Sequence, residues 1–329
     1  MREGWILYRR PQAALSPEAY EVHRLVEEGE ALGIRMRVLA PEQVDLVVTR
    51  EDSRSVLVDG SPTELPDFLL PRMGAATTYF GLAVIRHLER LGVPTVNESV
   101  AIETVKDKLW SHQILAASNL PIAKTMLAKF PIDFDAVERL VGFPLVLKTL
   151  SGSQGQGVFL CESKSNLQDL VELMEATKAN LNIVLQEFIQ SSHGRDLRVM
   201  VVGGRTVAAM ERRSNDGSFK ANVSRGGSAR EIEITPEVDW LACEVARILG
   251  LSVAGIDLLF DGDHFRVCEA NSSPGFEGLE RACDINMPRE IFAFVAVRSG
   301  NLEFLSKMAR TPAVRPVNNP RKSELAGSE

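Results

Sequence analysis

Only four cysteines occur, Cys161, Cys243, Cys268 and Cys283, and no two of them form a C-x-x-C pair. That sparse, wide spacing suits reduced, mostly structural thiols better than a disulfide framework or a zinc site. Long apolar runs are absent too. Nothing approaches the ~18 residues of a membrane helix. No long apolar stretch follows the charges of MREGWILYRR, so a secretory signal is not expected either. The default is a soluble cytoplasmic protein. An excess of positive charge is absent: the formal net charge of −7 argues against broad nucleic-acid binding, while leaving room for a small basic pocket. What remains is an ordinary globular composition, over a length that suits about two or three domains.

GWILYR reads as a first strand, SPEAYEVHRLVEEGEALG as a capped helix with a Ser-Pro start, and IRMRVLAPEQ and PDFLLPR as further strands. Strand, helix, strand predicts a parallel α/β domain over residues 1–102. It lacks the G-x-G-x-x-G of a dinucleotide-binding turn, so a nucleotide is expected elsewhere. Residues 103–189 read as a central lobe, with helices TVKDKLWSHQILAASN and SNLQDLVELMEATKAN and strands FPLVLKTL, GVFLC and NIVLQEFI. Residues 190–300 add strands LRVMVVG, RTVAAMERR, AGIDLLF and FRVCEAN and the helix PEVDWLACEVARILG. Residues 301–329, ending in ARTPAVRPVNNPRKSELAGSE, are expected to be a disordered tail.

Between the first two strands of the central lobe lies KTLSGSQGQGVFL. A Walker A loop needs Lys-Ser/Thr after its last glycine and a helix behind it. Here a β-branched, apolar strand follows, so the loop is a hairpin flap. Its residues Gly152, Ser153, Gln154, Gly155 and Gly157 offer backbone N–H groups that can close over a triphosphate. The bland alternative, a flexible surface hairpin, is weakened by Lys148, a point charge at the flap's base. Protein kinases combine a flap with a lysine, but neither H-R-D nor D-F-G is present.

Bound ATP requires Mg²⁺ and oxygen ligands for it. The candidates are Asp257 in AGIDLLF and Glu269 and Asn271 in FRVCEAN, two strands around the turn Asp261-Gly262-Asp263-His264. Alternation puts Glu269 and Asn271 on one face, and a three- or five-residue turn sets Asp257 opposite Glu269. A solvated acidic strand edge is the bland alternative. Lys108 is a second basic candidate, weighed evenly against an ordinary helix lysine. Glu187 and Phe188 end a strand whose backbone can read an adenine edge, a weak signal alone. Asp196 is a candidate ribose acceptor. Arg198 and the run ERRSNDGSFKANVSRGG, with Arg212, Arg213, Lys220, Asn222 and Arg225, suit a phosphoryl group or a carboxylate substrate. Some of these arginines are expected to be mere surface charges.

Taken in order, Lys108, Lys148, SGSQGQGV, QEFI, GRDLR, ERRSNDGSFKANVSRGG, AGIDLL and CEANSSPGFEG resemble the ATP-grasp superfamily, and more narrowly the RimK-like glutamate ligases. The resemblance spans about residues 66 to 295. It implies an ATP-grasp fold of mixed α/β (α+β) class: an N-terminal α/β domain and two lobes gripping ATP. By similarity Lys108 and Lys148 contact phosphates, and Glu187 and Phe188 meet the adenine. Asp196 and the segment Lys220, Ala221, Asn222 complete the nucleotide site. Asp257, Glu269 and Asn271 hold magnesium or manganese, two ions being expected. The family position of Lys220 is often arginine, so the charge survives but a bidentate grip does not.

The implied reaction is carboxylate activation by Mg-ATP to an acyl phosphate, followed by attack of the amine of L-glutamate. Arg198, Arg213 and Arg225 are the candidates for gripping the acyl phosphate and substrate carboxylates, and Arg72 for lining the substrate entrance. A ribosomal-protein or similar peptide C-terminus is the first-choice acceptor. Second is a small acid, as in the N-acetylaspartylglutamate and citrylglutamate synthases of the family. A silent nucleotide-binding module is a third, minor reading, favoured by no loss among these residues. A homo-oligomer stays open.

Overall fold

The computed structural model describes residues 1, 3–11, 15, 19–50, 55–149, 157–176, 182–221 and 227–314. The chain begins with β1 (Glu3–Leu7), α1 (Tyr20–Ala31), β2 (Arg35–Leu39), β3 (Val44–Leu46), β4 (Val56–Val58), β5 (Ser61–Pro62), β6 (Phe68–Pro71) and α2 (Tyr79–Arg90). β1 lies parallel between β2 and β6, and its Trp5, Ile6 and Leu7 are buried, as befits a strand covered on both faces. β3, β4 and β5 form a small antiparallel sheet. The Ser-Pro start foreseen for α1 lies outside the described residues.

Two helices follow, α3 (Ser99–Lys106) and α4 (Lys108–Ala117), where the sequence suggested one continuous helix. The break is Asp107: its backbone is extended and its carboxylate accepts the N–H groups of Leu109 and Trp110, capping α4. The central lobe holds β7 (Thr125–Leu127), α5 (Phe134–Leu140), β8 (Leu145–Thr149), β9 (Val158–Cys161), α6 (Lys164–Ala176) and β10 (Ile183–Glu187). Its sheet is antiparallel in the order β7-β10-β8-β9, so the flap does connect two paired strands.

The third sheet runs β13-β12-β11-β14-β15, from β11 (Arg195–Val202), β12 (Arg205–Arg213), β13 (Ser228–Glu231), β14 (Val253–Asp261) and β15 (His264–Asn271), with α7 (Pro236–Ile248) between β13 and β14. Its two faces differ. Leu197, Val199, Val201, Ala209, Ile256 and Leu258 pack with Val238, Leu241 and Val245 of α7. On the opposite face, β11 carries Met200 and Val202 at one end and Asp196 and Arg198 at the other. The apolar end joins a core with Ile6, Leu25 and Phe68 of the N-terminal domain.

That shared core also takes in Phe292 of α9 (Met287–Arg298), which follows α8 (Glu277–Ala282), and Phe304 and Met308 of α10 (Leu302–Arg310). The tail expected to be disordered from residue 301 is therefore helical at its start. Composition pointed the wrong way because two buried apolar residues one turn apart suffice to dock a short helix. Beyond it, Val314 donates its N–H to Glu28. Residues 315–329 lie outside the described part.

Buried Asn97 joins the N-terminal domain to the third sheet: Nδ2 donates to the carbonyls of Val253 and Ser272, and Oδ1 accepts the N–H groups of Ser252 and Val253, all at 2.7–2.8 Å. Replacing it by alanine leaves buried backbone groups without partners. Asn97→Ala should lower stability by about 3 kcal/mol, read as a lower urea midpoint at unchanged m-value.

Candidate functional site

The site forms where the central sheet faces the ionic end of the third sheet. Strand alternation turns Lys148 of β8 out of the central lobe, where Nζ donates to Gln186 Oε1 at 2.6 Å and reaches Cys268 Sγ of β15 at 3.8 Å. Gln186 in turn donates to Thr125 Oγ1 at 2.9 Å and lies 3.2 Å from His112 Nε2. Burial first, and then the nearby Lys148 cation, push the His112 imidazole below its usual pKa, so it stays neutral. Lys108, at the start of α4, reaches Glu269 Oε2 at 4.0 Å. The two lysines therefore approach β15 from different elements of the chain.

A β-bulge in β15 sets what they meet. The hairpin turn is tighter than expected, Asp261 pairing with His264 around two residues. Uninterrupted, that register would set Asp257 against Cys268. The extra residue between Val267 and Glu269 shifts it by one, so Asp257 pairs with Glu269 as foreseen, for a different reason. Consequently the thiol of Cys268 faces Lys148 while the next carboxylate faces Lys108. Burial raises the thiol to about 11, away from the thiolate form.

Asp257 is buried and doubly paired. Arg198 grips it through Nε and, at 2.8 Å, NH2, and Arg212 NH2 adds a contact at 3.1 Å. Arg212 also bonds Asp196 through Nε at 2.6 Å and NH2 at 2.8 Å. Burial alone would raise the Asp257 carboxyl; Arg198 and Arg212 outweigh it and hold the group at about 2. Asp196, with one arginine and Asp257 close by, is pushed up by burial. Arg212 was seen in the sequence as one of a basic run, without a role. Its signal was the alternation that pairs Arg212 with Asp196 and leaves Arg213 facing the other way.

The candidate ligand set is brought together in part. Asn271 Nδ2 lies 3.4 Å from Glu269 Oε1, on the strand opposite Asp257 and Gly255. All three offer oxygen, which suits a hard cation such as Mg²⁺. Three guanidinium contacts leave Asp257 about one of its roughly four lone-pair positions, whereas Glu269 and Asn271 are half-exposed. Among the described residues, no group of three or more His, Cys, Asp and Glu gathers to hold a metal; this set is two carboxylates and a carboxamide.

Other expected residues fall in varied places. Glu187 accepts from the Lys124 N–H at 3.2 Å and from Arg266 NH1 at 3.1 Å, tying the end of β10 to β15. Phe188 packs edge-on against His193 and Phe219. Lys220 Nζ sits over the rings of Phe159 and Phe219, and Ala221 is buried beside it in sequence. Asp196, expected to be free for a ribose, is instead bonded to Arg212. Arg213, expected beside Arg198, lies on the opposite face of the sheet, where its Nε donates to Glu211 Oε1 at 2.7 Å. Gly157 has φ +67° and presses on Thr149, so a Cβ there would lie 2.1 Å from Oγ1. Gly152, Ser153, Gln154, Gly155, Asn222 and Arg225 lie outside the described residues.

Comparison with known proteins identifies the family. A RimK-like ATP-grasp domain aligns with residues 105–295 and a RimK pre-ATP-grasp domain with residues 13–102. The chain belongs to the RimK-like ATP-grasp family. A relative from Legionella pneumophila (strain Corby), named "Probable alpha-L-glutamate ligase", is 38% identical over 86% of this chain and 93% of its own. One of the same name from Marinomonas sp. (strain MWYL1) is 40% identical over 81% and 88%. In structure the chain is similar to the ATP-grasp ligase PsnB, solved with a precursor variant, Mg and ADP. The TM-score is 0.68 at 18% identity, over 90% of this chain and 98% of that one. A RimK domain protein from Sphaerobacter thermophilus gives a TM-score of 0.65 at 19% identity, over 89% and 99%. The fold is ATP-grasp and the protein is an ATP-dependent ligase. Among the described residues no helix is long and apolar enough to cross a membrane.

The Asp257 pairing has a pH signature. Its folded pKa lies below the ordinary 3.8, so its stabilisation is present above about that pH and lost as pH falls towards about 2. Asp257→Asn should be less stable than the parent near neutrality. The difference should narrow across that acidic window, as followed by urea unfolding at stepped pH.

Proposed function

We propose that this ligase joins the amine of L-glutamate to a carboxylate at the C-terminus of a peptide or protein. The observation that carries this reading is that Lys108 and Lys148 of the central lobe meet β15 at successive residues, Lys108 at Glu269 and Lys148 at Cys268, beside the Asp257–Glu269 pair. The names of the relatives support glutamate as the amine donor, and PsnB, solved with a precursor peptide, supports a peptide acceptor.

The γ-phosphoryl of ATP passes to one oxygen of the acceptor carboxylate, giving an acyl phosphate and ADP. The glutamate nitrogen then attacks the acyl carbon. A C–N bond forms as the C–O bond to phosphate breaks with its electrons, and the nitrogen loses a proton. No protein group is covalently modified, so catalysis lies in positioning and charge compensation. Lys108 and Lys148 hold phosphate oxygens, with Lys148 oriented by Gln186. The end of β10, at Glu187 and Phe188, borders the adenine, and Lys220 and Ala221 close the nucleotide site. Arg198 and Arg212 keep Asp257 anionic and fixed. Asp257, Glu269 and Asn271 would hold Mg²⁺ or Mn²⁺, two ions in our reading, whose charge neutralises phosphate oxygens.

Glu269→Gln keeps the size and the strand while removing the charge. Its phosphate release with Mg-ATP, glutamate and an acceptor peptide should fall by ~10²-fold or more, with thermal unfolding near that of the parent. Unaltered turnover would remove Glu269 from the metal set.

A further inference from the structure

Arg72 directly follows β6 and stands at the seam between the N-terminal domain and the loop that follows Asn271. Its NH2 donates to the Pro274 carbonyl at 2.7 Å, and the guanidinium lies 5.6 Å from the centre of the Phe276 ring. Nε is buried with no hydrogen-bond partner, alone among the buried side-chain nitrogens and oxygens of the described residues. The side chain as a whole keeps partial exposure.

The other largely buried arginines are all matched by acids. Arg24 pairs with Glu280, Arg198 and Arg212 with Asp257, and Arg289 with Glu28. Among the described residues no carboxylate lies within ion-pair distance of Arg72. Glu21 is near enough to be felt, but its Oε1 is occupied by the Phe276 N–H. Burial, opposed only weakly by Glu21 and Tyr8, pulls the guanidinium below its ordinary pKa. Arginine nonetheless stays protonated. A permanent, partly desolvated cation without its own anion is costly unless an anion completes it.

Position supplies the direction. Pro274 is three residues beyond Asn271, and Gly255, the partner of Asn271 across the sheet, owes its lack of side chain to Pro274: a Cβ there would lie 2.6 Å from the proline. The carbonyl that Arg72 holds thus belongs to a loop seated on the strand that bears Asp257. Arg72 is thereby joined through this loop to the strand pair that bears Asp257 and Asn271.

We infer that Arg72 binds a substrate carboxylate that the reaction does not consume, and so selects acidic substrates. This deepens the glutamate-ligase reading and rests on it. Both glutamate and a peptide ending in glutamate carry such a group, and titration separates them. The full chain, with Mg²⁺ and a non-hydrolysable ATP analogue, is titrated calorimetrically with each, using the parent and Arg72→Gln. For one ligand the affinity should fall roughly tenfold to hundredfold. The amide analogue of that ligand, lacking the carboxylate, should bind the parent equally weakly and the variant no worse. Affinity for the ATP analogue should hold, and the melting temperature should stay level or rise, since no internal ion pair is lost.

Unchanged affinity for both carboxylates overturns the inference. So does failure of both to bind the parent, or a variant that melts lower and loses nucleotide as well, the mark of a purely structural arginine. Parallel assay of amide formation separates the two readings. Carboxylate binding that depends on Arg72 without any amide product rejects the ligase reading alone. Amide formation with unchanged binding by Arg72→Gln rejects the role of Arg72 alone.

Discussion

Two arginines and two aspartates, linked Asp257–Arg198 and Asp257–Arg212–Asp196, occupy one end of one face of the five-stranded sheet. Removing four charges from water is expensive, and only mutual pairing with good geometry offsets it. The network is neutral overall and spans three adjacent strands, so it fixes the strands' side chains relative to one another. Along β11, the same face changes from Asp196 and Arg198 to Met200 and Val202, which enter the core shared with the N-terminal domain. One strand therefore serves both the site and the domain junction, and an ordered site depends on a correctly seated N-terminal domain.

Pre-set charge of this kind suits phosphoryl transfer, in which little covalent chemistry is asked of the protein. Lys148 and Lys108 bring cations from the central lobe, and Glu269 brings an anion from β15. The bulge at Cys268 matters as much as any charged group. It turns two successive side chains towards two different lysines and restores the pairing of Asp257 with Glu269.

Much of this was legible in the sequence because it follows from period-two alternation and from turn chemistry. The flap between two strands and the parallel first domain came from such rules, whereas the Asp257–Glu269 pairing, also foreseen, arises from the bulge at Cys268 and not from the turn expected. Other features depend on contacts that no local pattern encodes. The Asp107 cap divides a stretch whose apolar spacing runs on without interruption. α10 is held by Phe304 and Met308 in a core assembled from distant residues. Arg212 and Arg213 are adjacent and chemically identical; only the strand register shows that one reaches Asp257 and the other Glu211. Arg72 was expected to line the substrate entrance, and only its surroundings show a cation without an acid.

The central claim is that ATP activates a carboxylate at this site. A peptide ending in glutamate, with heavy oxygen in its carboxylates, should be incubated with the protein, Mg-ATP and unlabelled L-glutamate, and the released phosphate analysed by mass spectrometry. The account predicts one heavy oxygen in each phosphate formed with amide product. Amide formation with unlabelled phosphate, or no amide formation at all, would contradict it.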